Sequence, residues 1–267
     1  MPIPGLLRPA DSLGVPSVAT GHYVRKVRVG DDWHLAEGVD PRRDQSDALY
    51  RLTPTQIARL EFPTGTLDKA TVRRIAREAG LPVADKASSV DLCFAKTAGG
   101  IGNLVATARP ETGRPGPLLD EHGQIVGSHH GIAHVTIGQR SGLQWRRTTP
   151  ERRYVSSIDP ETGVVTVARR EQITTRSARL DDPIFHAPVP TRAVQARTRY
   201  QGPRLDVLLT GDTVTFVTPG PPLAPGQAIV LYDGPRVLGG GAATDVARGG
   251  EADGEGVGKM SAVAPGA

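Results

Sequence analysis

Glycine and proline set the ceiling on regular structure in this chain. Together, 32 glycines and 23 prolines make up about a fifth of its 267 residues, against roughly 12% in average usage. Each proline fixes φ and removes a backbone donor, and each glycine costs backbone entropy inside an element. Such punctuation excludes a helix bundle and favours short strands joined by many turns. Hydrophobic residues are 38% of the chain, enough for packed cores, but aromatics are only 4%. Those cores must therefore be built mainly from Val, Leu, Ile and Ala. The length suits one large domain or two to three small ones.

No apolar run reaches the ~18 residues that a membrane span needs. The opening MPIPGLLRPADS lacks the basic start and apolar stretch of a secretory leader. A single cysteine, Cys93, excludes an internal disulfide framework and a zinc site built on several thiolates. These features predict a cytoplasmic protein with no membrane partner. The net charge of +4 suits a polyanion. However, 27 of the 32 basic residues are arginine, a bias that GC-rich coding alone produces, so charge does not decide the matter.

The first 98 residues read as mixed α/β. Strands are expected over 23–29 and 34–39, joined by the Gly30-Asp31-Asp32 turn. Thr53-Pro54 opens a helix that should run to about Phe62-Pro63. Asp68 caps a second helix, in which Val72, Ile75, Ala76 and Ala79 share one face before Gly80 and Pro82 stop it. Its other face carries Arg73, Arg74 and Arg77, a solvated or phosphate-facing stripe. Beyond residue 98 helix signals fade. Gly99 to Gly102 reads as a linker, and residues 99–170 as a small central domain with strands over 132–137, 154–158 and 164–168. Residues 171–245 read as a small β-barrel or sandwich, with strands over 194–200, 205–209 and 214–217 and a hairpin at Asp233-Gly234. Residues 246–267 are expected to form a disordered tail.

Cys93, between Leu92 and Phe94, reads by itself as a buried small hydrophobe. A reactive thiol would need cations or backbone donors beside it. His130 and His134 have a metal-like spacing, but it aligns two ligands only on a helix, and the segment reads as strand; no metal site is expected. There is no nucleophile elbow, Walker phosphate loop or dinucleotide fingerprint. Gly239-Gly240-Gly241 reads as a close-packing or bulge position.

Taken in order, the motifs resemble those of the tRNA-specific 2-thiouridylases. They are Ala19-Thr20-Gly21-His22-Tyr23; Asp44-Gln45-Ser46; Phe62-Pro63-Thr64-Gly65 with Gly80-Leu81-Pro82-Val83-Ala84-Asp85-Lys86; Cys93-Phe94; Gly127-Ser128-His129-His130-Gly131; Thr136-Ile137-Gly138-Gln139-Arg140-Ser141-Gly142-Leu143; Arg199-Tyr200; Pro225-Gly226-Gln227; and Leu238-Gly239-Gly240-Gly241. Each is weak alone. The ordered set spans residues from about 8 to 243.

The resemblance implies a doubly wound α/β ATP-pyrophosphatase-type domain, here truncated, then a small central domain and a C-terminal β-barrel. It implies sulfur transfer to C2 of the wobble uridine in the anticodon arm of a tRNA, after ATP adenylates the C2 oxygen. An amide-like oxygen leaves poorly and must first become a phosphate ester, and a thiolate-derived persulfide is a soft sulfur donor at neutral pH. By position Cys93 resembles the persulfide cysteine, loaded by an upstream sulfur-carrier protein. Gly21 resembles the glycine that lets the nucleotide approach the backbone. His22, Arg43, Asp44, Gln45, Arg199, Tyr200 and Gln227 match tRNA-contact positions. Arg suits phosphate, Tyr a base face and Gln a base edge.

The departures are specific. The family's Ser-Gly-Gly-x-Asp-Ser loop, which holds the pyrophosphate, is absent, as are its first catalytic cysteine and the Asn-Pro-x-x-x-Cys stretch. A doubly wound sheet without its first strands would expose edges and apolar faces. Ser88, Asp47 and Ala95 stand where the family usually has aspartate, an aromatic and a large aliphatic residue. Three readings follow: a thiouridylase that cannot adenylate on its own, a non-catalytic tRNA-binding module, and a diverged sulfur-transfer paralogue. The first would be either a fragment with a misplaced start or a form that borrows its ATP domain from a separate subunit carrying the phosphate loop, and the third would need a separate activating partner.

Overall fold

The computed structural model describes residues 4–86, 99–146 and 151–249. Cys93, Ser88 and Ala95 lie outside the described residues, as does the expected tail from residue 250.

The N-terminal unit begins with helix α1 (Pro4–Ser12) and strand β1 (Val18–Ala19), followed by the hairpin β2 (Val24–Val29) and β3 (Asp32–Glu37). Gly30 makes its turn at φ +61°, a left-handed position that costs glycine nothing. Helix α2 (Pro54–Ala58) opens on a capping box: Thr53 Oγ1 accepts from Gln56 N at 3.3 Å, and Gln56 Oε1 accepts from Thr53 N at 2.9 Å. It stops short of the expected residue 62. The following β4 (Leu60–Glu61) instead pairs in parallel with β1, Val18 opposite Leu60. Helix α3 (Lys69–Glu78) is capped by Asp68 Oδ1, which accepts from Thr71 N at 2.7 Å. Its apolar stripe is not a core face. None of its residues is buried, and Ile75 is 45% exposed.

The central module holds helix α4 (Ile101–Ala108) and strands β5 (Gly116–Leu119), β6 (Ile125–His129), β7 (Gln144–Trp145), β8 (Tyr154–Ile158) and β9 (Val165–Ala168). The sheet order is β7-β6-β5-β9-β8, around Leu118, Val155, Val165 and Val167. Two expectations are corrected here. A helix stands where a linker was expected, and residues 132–134 form a 3-10 turn in place of a strand. Packing explains both. Glycine at 102 lets α4 sit against that turn, because a Cβ there would lie 2.3 Å from His134 Nδ1.

The C-terminal module comprises β10 (Thr175–Phe185), β11 (Val194–Arg197), β12 (Leu205–Thr210), β13 (Thr213–Gly220), β14 (Ala228–Asp233) and β15 (Arg236–Arg248). They run β10-β13-β12-β11-β14-β15, and β15 pairs back onto β10, so six strands close a barrel. Val246 to Arg248 belong to β15, not to a tail: Ala247 pairs with Ser177 and Arg248 with Thr175. The glycine run is a packing device, since a Cβ at Gly239 would fall 2.0 Å from the Ile184 carbonyl oxygen.

The barrel and the N-terminal unit share structure. Arg236 of β15 pairs with Ala36 of β3, which adds the β2–β3 hairpin to the barrel sheet. One core joins Val24, Leu35, Ile57 and Leu60 to Val230, Tyr232 and Val237 of the barrel. The α/β, central and barrel order expected from the sequence is thus the order found, with the first and third parts fused along a sheet.

Candidate nucleic-acid interface

Above that junction lies a cleft of about 580 Å³ lined by Asp40, Arg42, Arg43, Gln45, Lys69, Ala70, Arg73, Tyr200 and Gln201. Three segments build it. The loop after β3 supplies Asp40 to Gln45. The first turns of α3 supply Lys69, Ala70 and Arg73. The β11–β12 turn supplies Tyr200 and Gln201. Asp40 ties the first two together, because its Oδ2 accepts from Lys69 N at 3.1 Å. Gln201 ties the third to the first, donating from Nε2 to the Arg42 carbonyl oxygen and to the Tyr200 hydroxyl at 3.1 Å.

Four cations face one carboxylate in this cleft, and none of the four forms an ion pair among the described residues. A concave surface with an unpaired charge excess of one sign concentrates counter-ions. Tyr200 is 53% exposed, so its ring face is open to a flat partner. The Gln45 side-chain oxygen is taken by Tyr23 N at 3.1 Å, leaving its NH₂ free to donate. Lys69 Nζ sits 5.7 Å from the Tyr23 ring centroid. Such a lining suits phosphates along its basic wall and a base on its aromatic.

The expected contact residues divide. Arg43, Gln45 and Tyr200 line the cleft, and Arg199 is exposed beside Tyr200 in the same turn. Asp44 does not face it. This residue is 1% exposed, and its Oδ1 accepts from Gly38 N at 2.9 Å while its Oδ2 accepts from Arg197 Nη1 at 2.7 Å. With both oxygens engaged inside, it has none to offer an RNA. Gln227 lies on the barrel outside this cleft, its Oε1 accepting from Ala224 N at 2.7 Å. His22 is half-buried beside Thr20 Oγ1 at 3.1 Å, and burial lowers its pKa. Arg42, Lys69 and Gln201 were not singled out from sequence. The doublet Arg42-Arg43 and the neighbour of Tyr200 were available signals, whereas Lys69 had none.

Gly21 is exposed, and a Cβ there would meet nothing within 4 Å, so space is open above the β1–β4 pair. A second cleft nearby, of about 550 Å³, includes Arg25 and Lys26. Their charged groups are committed. Lys26 Nζ donates to the Ala58 and Leu60 carbonyls at 3.1 Å and to Glu61 Oε1 at 2.7 Å, and Arg25 Nε donates to Glu37 O at 2.6 Å. Among the described residues nothing cradles a pyrophosphate, so they do not fit ATP unaided. Nor do they contain a cluster of three residues able to hold a metal ion. No helix among them is long and apolar enough to cross a membrane.

The structure thus defines a chain of three modules, α/β, small sheet and closed barrel, with a basic cleft where the first meets the third. Comparison with known proteins agrees module by module. Residues 5–97 match the tRNA methyl transferase HUP domain, 104–169 the tRNA methyl transferase PRC-barrel domain, and 175–243 the aminomethyltransferase β-barrel domain. The tRNA-specific 2-thiouridylase MnmA of Methylorubrum populi is 41% identical over 252 residues, covering 88% of this chain and 65% of that protein. The protein of that name from Sphingopyxis alaskensis is 40% identical, covering 88% and 62%. That from Moorella thermoacetica is 38% identical, covering 91% and 70%. The chain belongs to the tRNA-specific 2-thiouridylase family, a family of sulfurtransferases. It spans slightly less than two thirds of the length of the first two of these relatives.

Proposed function

We propose that this chain binds the anticodon arm of a tRNA in the basic cleft and serves 2-thiolation of the wobble uridine there. One observation carries the reading: four cations that form no ion pair among the described residues converge with an open tyrosine where two modules meet, in a chain whose relatives are named for action on tRNA. Arg43, Arg42, Lys69 and Arg73 would contact phosphates. Tyr200 would stack on an unpaired base, and the Gln45 NH₂ would donate to a base edge.

Cys93 would carry the sulfur as a persulfide loaded by a carrier protein. That assignment rests on the Cys93-Phe94 match, since the residue lies outside the described residues. Activation of the C2 oxygen by ATP needs a phosphate cradle that the described residues lack, so it falls to groups beyond them or to a separate subunit. The same lack favours a second reading, in which the chain binds tRNA without modifying it.

The test uses the full chain and an unmodified anticodon-arm RNA in a salt series. Affinity should fall steeply with salt, and Arg43→Gln should reduce the log–log slope by about one. Affinity indifferent to salt would overturn the cleft reading. Incubation with ATP and a persulfide donor, analysed by mass spectrometry, should yield no 2-thiouridine from the chain alone. A second chain carrying the phosphate loop should restore product if the first reading is right, and should fail to if the second is.

A further inference from the structure

Behind the cleft wall lies a cluster of charged groups that no proposed contact uses. Arg197, 8% exposed, donates from Nη1 to Asp44 Oδ2 at 2.7 Å and from Nη2 to Glu37 Oε1 at 2.9 Å. The same Glu37 oxygen lies 2.6 Å from Arg204 Nη2. The Arg204 guanidinium stacks 3.3 Å from the centroid of the Tyr232 ring, and the fully buried Tyr232 hydroxyl is 3.1 Å from Ser46 Oγ. Ser46 Oγ closes the circuit by donating to Asp44 Oδ2 at 2.8 Å.

The sequence positions matter more than the energies. Arg197 and Arg204 are the two legs of the turn that presents Arg199, Tyr200 and Gln201, and a single carboxylate oxygen of Glu37 receives both. Asp44 stands between Arg43 and Gln45, the two cleft residues of the opposite wall. We propose that the Arg197–Asp44–Glu37–Arg204 cluster is a positioning device, which sets the β11–β12 turn and the 40–45 loop at the separation that RNA requires. The inference rests on reading the cleft as the RNA site. Asp44, Arg197, Glu37 and Arg204 are positioning residues and touch no RNA. A surface ion pair would hold two loops poorly, because water competes for it. This one is largely buried and stacked on an aromatic, and both Asp44 oxygens are engaged, so each loop has one arrangement that keeps its charges paired.

The test replaces both charges together, since removing one would leave the other bare. In Arg197→Gln/Asp44→Asn the two amides can still bond to each other. Binding of the full chain to an unmodified anticodon-arm RNA should weaken about tenfold at every salt concentration. The log–log salt slope should stay as in the wild type, because no phosphate contact is lost. A merely structural pair would lower the melting temperature and leave the affinity of the folded protein unchanged; that result overturns the proposal.

Amide hydrogen exchange supplies an arm that needs no RNA. Residues 40–45 and 198–203 should exchange faster in the double variant while β14 stays protected, and unchanged exchange in both loops overturns the proposal. If Arg43→Gln and Tyr200→Ala leave RNA binding untouched, the cleft reading fails, and the exchange arm still decides whether the cluster holds the loops. If the double variant does not fold, Tyr232→Phe, which removes only the hydroxyl beside Ser46, should shift both readouts in the same direction by less. No shift in either would sink the proposal.

Discussion

The barrel closes on itself, and the α/β unit beside it does not. Closure gives every barrel strand two neighbours, so no edge is left to solvent or to another chain, and its core of Ala196, Val207, Ile229, Leu231 and Leu238 is sealed. The α/β unit has one parallel pair of two residues each and a helix with no buried residue. Leu13, Val39, Ile75, Leu81 and Val83 stand between 45% and 77% exposed. It is tied to the barrel through the shared β3–β15 pairing, the core around Tyr232 and the Arg197–Asp44 pair. Stability in this molecule is concentrated in the module that nonlocal strand pairing completes, and the recognition surface is built where the looser unit leans on it.

The comparison breaks most visibly at the join. Asp44→Ala leaves the buried Arg197 guanidinium with Glu37 as its remaining carboxylate partner; burial opposes that charge, and Asp44, Tyr232 and Asp47 together outweigh it. The loss should be about 3–5 kcal/mol, read by urea unfolding. It should split one transition into two, with the α/β unit melting first. Leu231→Ala empties part of the barrel core instead, and should cost about 2–5 kcal/mol while lowering both units together. Equal, single transitions in both variants would show that the two units are not unequal partners.

Much of this arrangement was legible beforehand, and the failures share a cause. The Asp233-Gly234 hairpin, the Thr53 and Asp68 caps and the alternating strands of the barrel are local signals, readable within a few residues. Strand β10 lies in the stretch read as all β but was not picked out as a strand, because Arg176, Arg179, Asp181, Asp182 and Pro183 give it no clean alternation; its order comes from pairing with both β13 and β15. Helix α4 has no side-chain cap and no buried residue to announce it. In the cleft, Arg43, Gln45 and Tyr200 were visible as types suited to RNA. Asp44 was misjudged because the partner that turns it inward lies 153 residues away. Lys69 reaches the same cleft only because Asp40 draws the start of α3 to it.

The cleft separates recognition from stability. Tyr200→Ala should weaken RNA binding by about 1–3 kcal/mol if its ring carries one stacked base, and should leave the unfolding midpoint unchanged because the ring is half-exposed. An equal loss of stability would assign the ring to packing.

Acidity sharpens the comparison at the join. His34 of β3 is buried, and burial lowers its pKa first, with Arg236 adding to the effect. His186 is lowered by burial as well, though its Nε2 donates to the Tyr50 carbonyl at 3.0 Å. Both rings are therefore neutral in the fold at a pH where the unfolded chain would bind a proton. The unfolded state takes up more protons as pH falls through about 6.5. Stability should be full above that value and decline below it. The melting temperature should drop by several degrees between pH 7 and pH 5, and His186→Gln should flatten the profile. A flat wild-type profile would mean that neither ring is held neutral.

The smallest effect is the most diagnostic of the open unit. Ile75 carries the centre of the apolar stripe on α3, a position that in a covered helix would cost several kcal/mol to make polar. Here it is 45% exposed, so little transfer energy is at stake and the helix is held by its Asp68 cap and by Asp40, not by that face. Ile75→Ser should change unfolding free energy by no more than about 0.5 kcal/mol. A loss above about 1.5 kcal/mol, with no change in oligomeric state, would show that other residues of the same chain cover the stripe, and the contrast between a sealed barrel and an open α/β unit would fall with it.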